Sequence, residues 1–337
     1  MSTFRKIYTW LRCLTGLCPR PAGNFGTDAS CGWMLCCCVA LLAGCNEEIE
    51  VHTKSMDRTY LVVEAMLTDR ADEPQRVLLT ESVDYFHEEV PPAVSGAAVT
   101  LSDGLGGSWL FTETPRGSGC YIGPEGLHGT PGVTYKLSVD AVVGGKSNHY
   151  EAVSTMEPAG FRVDAVDYMY AGNSTMKLDS LWTIAAWGED TPGTNYYYIS
   201  ATLNDAVFPI ERCLAMDDKY FDGQKVVCFP ITTLYQTAEM QRQYGECGKF
   251  LETGDVFTLN VYTIPKEYYD FYMGFVSSTV GSSVPMLQSQ PANCPTNITG
   301  GDAVGFFVAC PASSASVTIE DPFRPYYKKL FERFPQW

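Results

Sequence analysis

The chain has 337 residues, 45% hydrophobic and 13% aromatic, which is ample for packed cores and sets it apart from disordered sequences. Its 23 Lys+Arg stand against 39 Asp+Glu, a net charge of −16, so nucleic acid and anionic lipid headgroups are poor partners for its surface. At this length two domains of ordinary size fit.

The first element in chain order is a targeting segment, residues 1–44. Arg5, Lys6, Arg12 and Arg20 precede an apolar and cysteine run from Trp33 to Ala43, long enough for a signal-peptide core and too short to cross a bilayer, which needs about 20 residues. Leu42-Ala43-Gly44-Cys45 closes that run and resembles the bacterial lipobox, in which small residues precede a cysteine that receives a diacylglyceryl thioether. Cys45 is therefore the expected lipidation site and the first residue of the mature chain. The acidic continuation Asn46-Glu47-Glu48 resembles the signal that sends outer-membrane lipoproteins of Bacteroidota to the cell surface. A solvated, charged tether is the other reading of the same residues. Residues 1–44 hold four basic residues and one acid, so the mature chain carries 19 basic against 38 acidic residues, a net −19.

From Tyr60 onward the pattern has period two. Leu61, Val63, Ala65 and Leu67 fall on one face, as do Ala97, Val99 and Leu101, and then Val133, Tyr135, Leu137 and Val139. The Asp103-Gly104 pair marks a turn, and Gly144-Gly145 permits the positive φ of a tight hairpin. Strands about ten residues apart predict an antiparallel sandwich over residues 45–157. After the Pro158-Gly160 break a second set begins: VDAVDYMY, LWTIAAW, NYYYISATL, KVVCFPI, VFTLNVYTI, AVGFFVA and SVTIE. Tyr197, Ile199, Ala201 and Leu203 form one inward set, and Phe257, Leu259 and Val261 another. Within it, PKEYYDFYMGFVSST places Tyr268, Phe271, Tyr272 and Phe275 at helical spacing, with Pro265 and Glu267 suited to the first turn. The expected fold is all-β: two tandem antiparallel β-sandwich domains, 45–157 and 158–321, with one amphipathic helix packed on the second and an aromatic, basic tail over 322–337. The tail is expected to dock across the second sandwich; a partner-binding role is the alternative.

Six cysteines remain after Cys45: Cys120, Cys213, Cys228, Cys247, Cys294 and Cys310. A secretory leader implies an oxidising destination, where an even count favours disulfides. Cys213 with Cys228 and Cys294 with Cys310 are the expected pairs, each bracketing a loop-like insert. None of the six lies in a CxxC, and only His52, His87, His128 and His149 are available, so zinc-type spacing is absent and no metal or other cofactor is expected. Asp217, Asp218 and Asp222 in DDKYFDG fail the EF-hand pattern because Tyr220 and Phe229 occupy ligand positions; an irregular calcium loop or a plain turn held by Asp side chains are the two readings. No HExxH, GxSxG or P-loop is present, and YGECGKF lacks the glycine spacing and the Ser or Thr of a phosphate loop. His87-Glu88-Glu89 reads as an exposed charged loop, and Asp179-Ser180-Leu181 fits a permissive O-glycosylation triplet. Of the aromatics, Tyr196, Tyr198, Trp187 and Trp337 are candidates for a sugar or peptide contact face, although core packing competes for such residues.

SGAAVTLSDGLGG followed by GVTYKLSV resembles the small Ig-like or carboxypeptidase-regulatory-like sandwich at the front of Bacteroidota surface lipoproteins. DDKYFDG, GDVFTLNVYTIPKEYYDFYMG and PTNITGGDAVGFFVA resemble, in the same order, the second half of domain-of-unknown-function family 4249. Asn297-Ile298-x-Gly300-Gly301 leading to Gly305-Phe306-Phe307 is the best-marked element, with Phe306 where the family has Tyr. The resemblance implies a lipid-anchored outer-membrane protein facing the cell surface, a partner of a TonB-dependent transporter, touching the membrane through its lipid alone. It carries over no catalytic residue, so the expected role is a non-catalytic accessory of nutrient import. An adhesion or structural surface module is the alternative, and a hydrolase is a third reading that lacks a carboxylate or nucleophile constellation.

Overall fold

A computed structural model describes residues 58–83, 90–170, 180–208, 215–236, 251–280 and 294–321. The regular secondary structure there is strand, apart from one helix. No described helix is long and apolar enough to cross a membrane. All these residues belong to one compact unit, Ser55–Trp337.

The early strands are β1 (Leu61–Thr68), β2 (Arg76–Glu81), β3 (Ala98–Asp103), β4 (Ser108–Glu113), β5 (Cys120–Ile122), β6 (Thr134–Val143) and β7 (Lys146–Thr155). Alternation works as expected: Leu61, Val63, Ala65 and Leu67 are buried in one core with Val99, Leu101, Tyr135, Leu137 and Val139. Each fully buried apolar side chain of this size contributes about 1.5–3 kcal/mol. Gly144 and Gly145, with φ of 54° and 76°, turn β6 into β7 by a two-residue hairpin. The Asp103 carboxylate accepts hydrogen bonds from the backbone N–H groups of Leu105 and Gly107 and so shapes the β3–β4 turn.

The later strands are β8 (Phe161–Tyr170), β9 (Ser180–Asp190), β10 (Tyr196–Leu203), β11 (Ala206–Phe208), β12 (Ala215–Asp217), β13 (Lys225–Gln236), β14 (Val256–Ile264), β15 (Ile298–Thr299), β16 (Ala303–Cys310) and β17 (Ala312–Thr318). Sheets β13-β9-β8 and β11-β10-β14-β17, with β12 also on β10, enclose a second core. Tyr197, Ile199, Ala201, Leu203, Phe257, Leu259 and Val261 point into it as the alternation predicts, facing Val166, Trp182 and Ile184.

Strand order groups AVGFFVA with the later set, but this segment, as β16, pairs parallel with β1, and β15 pairs with β7. The first sheet therefore runs β15-β7-β6-β3-β4-β5-β2-β1-β16. Its ends approach one another: the Ala309 N–H donates to Ser154 Oγ at 2.9 Å, joining β16 to β7. Phe307 and Ala309 enter the first core, while Phe306, Val308 and Cys310 face a third apolar cluster on the opposite side.

The helix α1, Lys266–Val280, starts directly after Pro265, as expected, with Glu267 in its first turn. Tyr268 and Phe271 pack on Phe306 at ring-centroid distances of 5.3 and 5.4 Å. Tyr268 and Tyr272 also meet Tyr198 of β10. The helix thus lies on the second sandwich and also on β16 of the first sheet. Phe275, at the expected helical spacing, is instead 54% exposed.

Candidate functional site

Three carboxylates converge where β9, β10 and the β12–β13 turn meet. Asp190 closes β9 and is 2% exposed, Asp218 enters the turn and is 3% exposed, and Asp222 leaves it on the surface. Their oxygens lie within 4.8 Å of one another. Asp190 accepts hydrogen bonds from the Tyr197 hydroxyl and from the Gly223 N–H at 2.7 Å. Asp218 accepts from the Asn195 N–H at 2.7 Å and its side-chain amide at 3.1 Å, and Asp222 accepts from the Gly193 N–H at 2.8 Å. Burial pushes the Asp190 pKa up, with the charges of Asp218 and Asp222 adding to the rise, although the Tyr197 and Gly223 hydrogen bonds oppose it.

Calcium takes six to eight oxygens at about 2.3–2.6 Å, whereas these carboxylates are already aimed at backbone and hydroxyl donors. Of the two readings of DDKYFDG, the geometry matches a turn held by Asp side chains. Asp217 is in β12 opposite Tyr196, and the third acid of the group is Asp190. A local motif could not have named Asp190, which arrives from a strand 27 residues upstream of Asp217.

Beside this cluster an apolar crevice opens between the two sheets of the second sandwich. Phe161, Tyr197, Phe221, Phe229, Ile199 and Val261 contribute to its lining, and its enclosed volume is about 30 Å³. That is room for two or three water-sized spheres, well short of the roughly 300–1,000 Å³ of a small-molecule site. Its outer lip is β13, where Cys228 holds φ at +51° and the register to β9 shifts on either side of Phe229 and Pro230. Such bulges and a mid-strand proline blunt a sheet edge against indiscriminate pairing. Tyr220, at 86% exposure, Val227 and Phe229 present apolar surface along this lip and turn.

The candidate contact aromatics separate. Trp187 is only 1% exposed and belongs to a cluster with Met169, Ala185 and Cys228, so it offers no contact face. Tyr198 is half-buried beneath α1, and Tyr196 packs against Tyr269 of that helix in a tilted pair with ring centroids 4.9 Å apart. Alternation turns both tyrosines outward from the sandwich core, but the helix covers that face. Cys45, His87-Glu88-Glu89, Asp179, YGECGKF, Cys213 and Trp337 lie outside the described residues, while Ser180 and Leu181 of the Asp179 triplet open β9.

Cys294 and Cys310 are free, as are Cys120 and Cys228, so the expected Cys294–Cys310 bridge is not formed. The reason is local packing. Cys310 is fully buried under α1 beside Phe306 and Tyr268, whereas Cys294 lies against Gly274, its Sγ 3.6 Å from where a β-carbon there would be. Burial drives the Cys310 thiol pKa strongly upward. Maleimide should therefore leave Cys310 unlabelled in the folded protein, and label both Cys294 and Cys310 after unfolding without reductant. Recovery of a Cys294–Cys310 linked peptide from that second reaction would overturn this assignment.

The stretch that the sequence marks most clearly proves to be a clasp. The Asn297 side-chain amide donates to the carbonyls of Phe307 at 2.7 Å and Val153 at 3.2 Å, and its Oδ1 accepts the Phe307 N–H at 3.0 Å. One side chain thereby joins β16 to β7. Gly300 and Gly305 each hold φ at +99°, and β-carbons at these positions would stand 2.2 Å from the His149 carbonyl and 2.0 Å from the Val63 carbonyl. Both glycines let backbones approach where the C-terminal strands meet the first sheet. Residues 46–316 match the family described as Domain of unknown function (DUF4249). No curated protein matches the chain. With four-fifths of its length inside that match, clasp included, the chain belongs to the DUF4249 family.

Proposed function

We propose that this protein is a lipid-anchored outer-membrane lipoprotein facing the cell surface, and that it serves without catalysis as the accessory or binding partner of a TonB-dependent nutrient import system. The observation that carries the reading is Leu42-Ala43-Gly44-Cys45 at the end of a short apolar run, followed at once by Glu47 and Glu48. Support for a binding role comes from exposed apolar side chains on the second sandwich, among them Tyr220, Val227 and Phe229. Attraction between surface charges is screened beyond about 8 Å at physiological salt. A lasting complex therefore rests on apolar and aromatic contact, with hot spots among such residues.

Replacing Cys45 with Ser should release the protein from the membrane fraction, because a lipoprotein's several acyl chains anchor firmly where a single one holds only marginally. Retention of the Cys45→Ser protein with unchanged mass would end the anchor reading. Crosslinking on intact cells, followed by mass spectrometry, should recover a large barrel protein through residues of the second sandwich. Recovery of other surface lipoproteins alone, or protection from added protease on intact cells, would overturn the transporter reading.

A further inference from the structure

The junction between the two sandwiches is tied down wherever the chain crosses it among the described residues. Leaving β7, the chain buries Met156 in the first core. Four residues later the Gly160 N–H donates to Thr263 Oγ1 of β14 at 2.9 Å, and the Gly160 carbonyl accepts the Thr191 N–H at 2.7 Å. The later crossing is shorter still. β16, paired with β1, passes into β17, paired with β14, through Pro311 alone, whose carbonyl accepts the Thr263 N–H at 3.1 Å.

The β1–β2 loop adds a latch from the first sheet. Asp69 accepts the Ala312 N–H at 2.8 Å, and the Arg70 guanidinium donates to Ser314 Oγ at 2.7 Å. That hydroxyl donates in turn to Oδ1 of the buried Asn260 on β14, at 2.6 Å. The loop itself is fixed from within: Gln75, 3% exposed, accepts the Thr68 N–H at 2.8 Å and donates to the carbonyls of Arg70 at 3.0 Å and Glu73 at 3.1 Å. A buried amide that satisfies backbone groups on both sides of a loop holds it in one conformation.

Tandem domains move relative to one another by default, because few contacts cross their boundary. This boundary is different. β16 gives Phe307 and Ala309 to the first core and Phe306, Val308 and Cys310 to a cluster shared with Tyr262 and Ile264 of β14, so opening either sandwich strips apolar partners from the other. We propose that the two sandwiches form one cooperative unit that opens as a whole, coupled by β16 and the β1–β2 loop, and that residues 156–160 are not a hinge. A contact made on the second sandwich thereby protects the first sheet as well. This holds whether or not the protein serves a transporter.

Native-state hydrogen exchange of the mature chain, residues 45–337, tests it. The slowest amides of β6 and of β14 should report the same opening equilibrium. Leu259→Ala, confined to the second core, should speed both sets by the same factor, about thirtyfold or more. Ile199→Val, mild enough to leave the chain folded, should speed both by about two- to tenfold. In the other direction, Val139→Ala in the first core should be felt equally at β14. Acceleration confined to the sandwich that carries the substitution, with the other as slow as in wild type, would mean that the two open independently and would overturn the proposal.

Discussion

Gly305→Ala is expected to destabilise the protein by at least about 4 kcal/mol, a large share of the roughly 5–15 kcal/mol stability of a typical fold. Gly305 holds φ at +99°, a conformation that costs an L residue about 1–3 kcal/mol by itself. The added methyl would stand 2.0 Å from the Val63 carbonyl oxygen and 2.9 Å from both Val63 C and N. Those atoms are backbone of β1, paired with β16 on one side and β2 on the other, so the obstruction cannot swing aside. Gly145→Ala supplies the contrast: φ there is also positive, at 76°, but nothing stands within 4 Å of the position, so the cost should stay near 1 kcal/mol. Urea unfolding of the mature chain reads both variants. Equal, small losses would mean that the parallel β1–β16 contact does not hold the fold.

The same region shows where sequence reading succeeds and where it stops. Period-two alternation names the inward residues of β1, β6 and β10 because one face of each is polar or only half-buried, and the hairpin at Gly144-Gly145 is written in two adjacent residues. β16 carries no such alternation. Gly305 through Cys310 are all buried, because Phe307 and Ala309 enter the first core while Phe306 and Val308 meet α1. A run apolar on both faces marks a strand covered on both sides, so this double burial is legible in AVGFFVAC. Its partner is not, since β1 lies more than 230 residues away and nothing local specifies that register.

The acidic cluster divides in the same way. DDKYFDG announces a turn with Asp acceptors, but the buried acid that completes the group comes from β9, and only the packing of two sheets brings it there. The tyrosine triplet adds a third case. Alternation turns Tyr197 inward correctly, and it also turns Tyr196 and Tyr198 outward, where the helix formed by a later segment covers them. Surface aromatics therefore could not be told from covered ones until the helix was placed.

Asp190→Ala is expected to cost about 2–4 kcal/mol, and Asp190→Asn far less, and both remove the carboxyl's contribution to the pH profile. Alanine leaves the Tyr197 hydroxyl without its acceptor in a side chain 1% exposed, and the Gly223 N–H loses its partner as well; a buried donor left unsatisfied costs about 1–3 kcal/mol. Asparagine keeps the shape, its Oδ1 accepting from Gly223 while its amide donates to the Tyr197 oxygen, whose hydrogen rotates away. The sign of the pH effect follows from the raised pKa of Asp190. The folded protein holds this proton more tightly than the unfolded chain does, so the group's stabilising contribution is fully present below its ordinary value of 3.8 and is lost as pH rises through the folded value. Wild type should therefore lose stability relative to Asp190→Asn as pH rises through that window, and the difference should be flat above it. Urea midpoints of the two proteins, followed between about pH 4 and pH 8, read the difference directly. A gap that moves the other way, with wild type gaining on Asp190→Asn as pH rises, would mean that the Tyr197 and Gly223 hydrogen bonds outweigh burial, and that Asp190 is a stabilised carboxylate instead of a strained one.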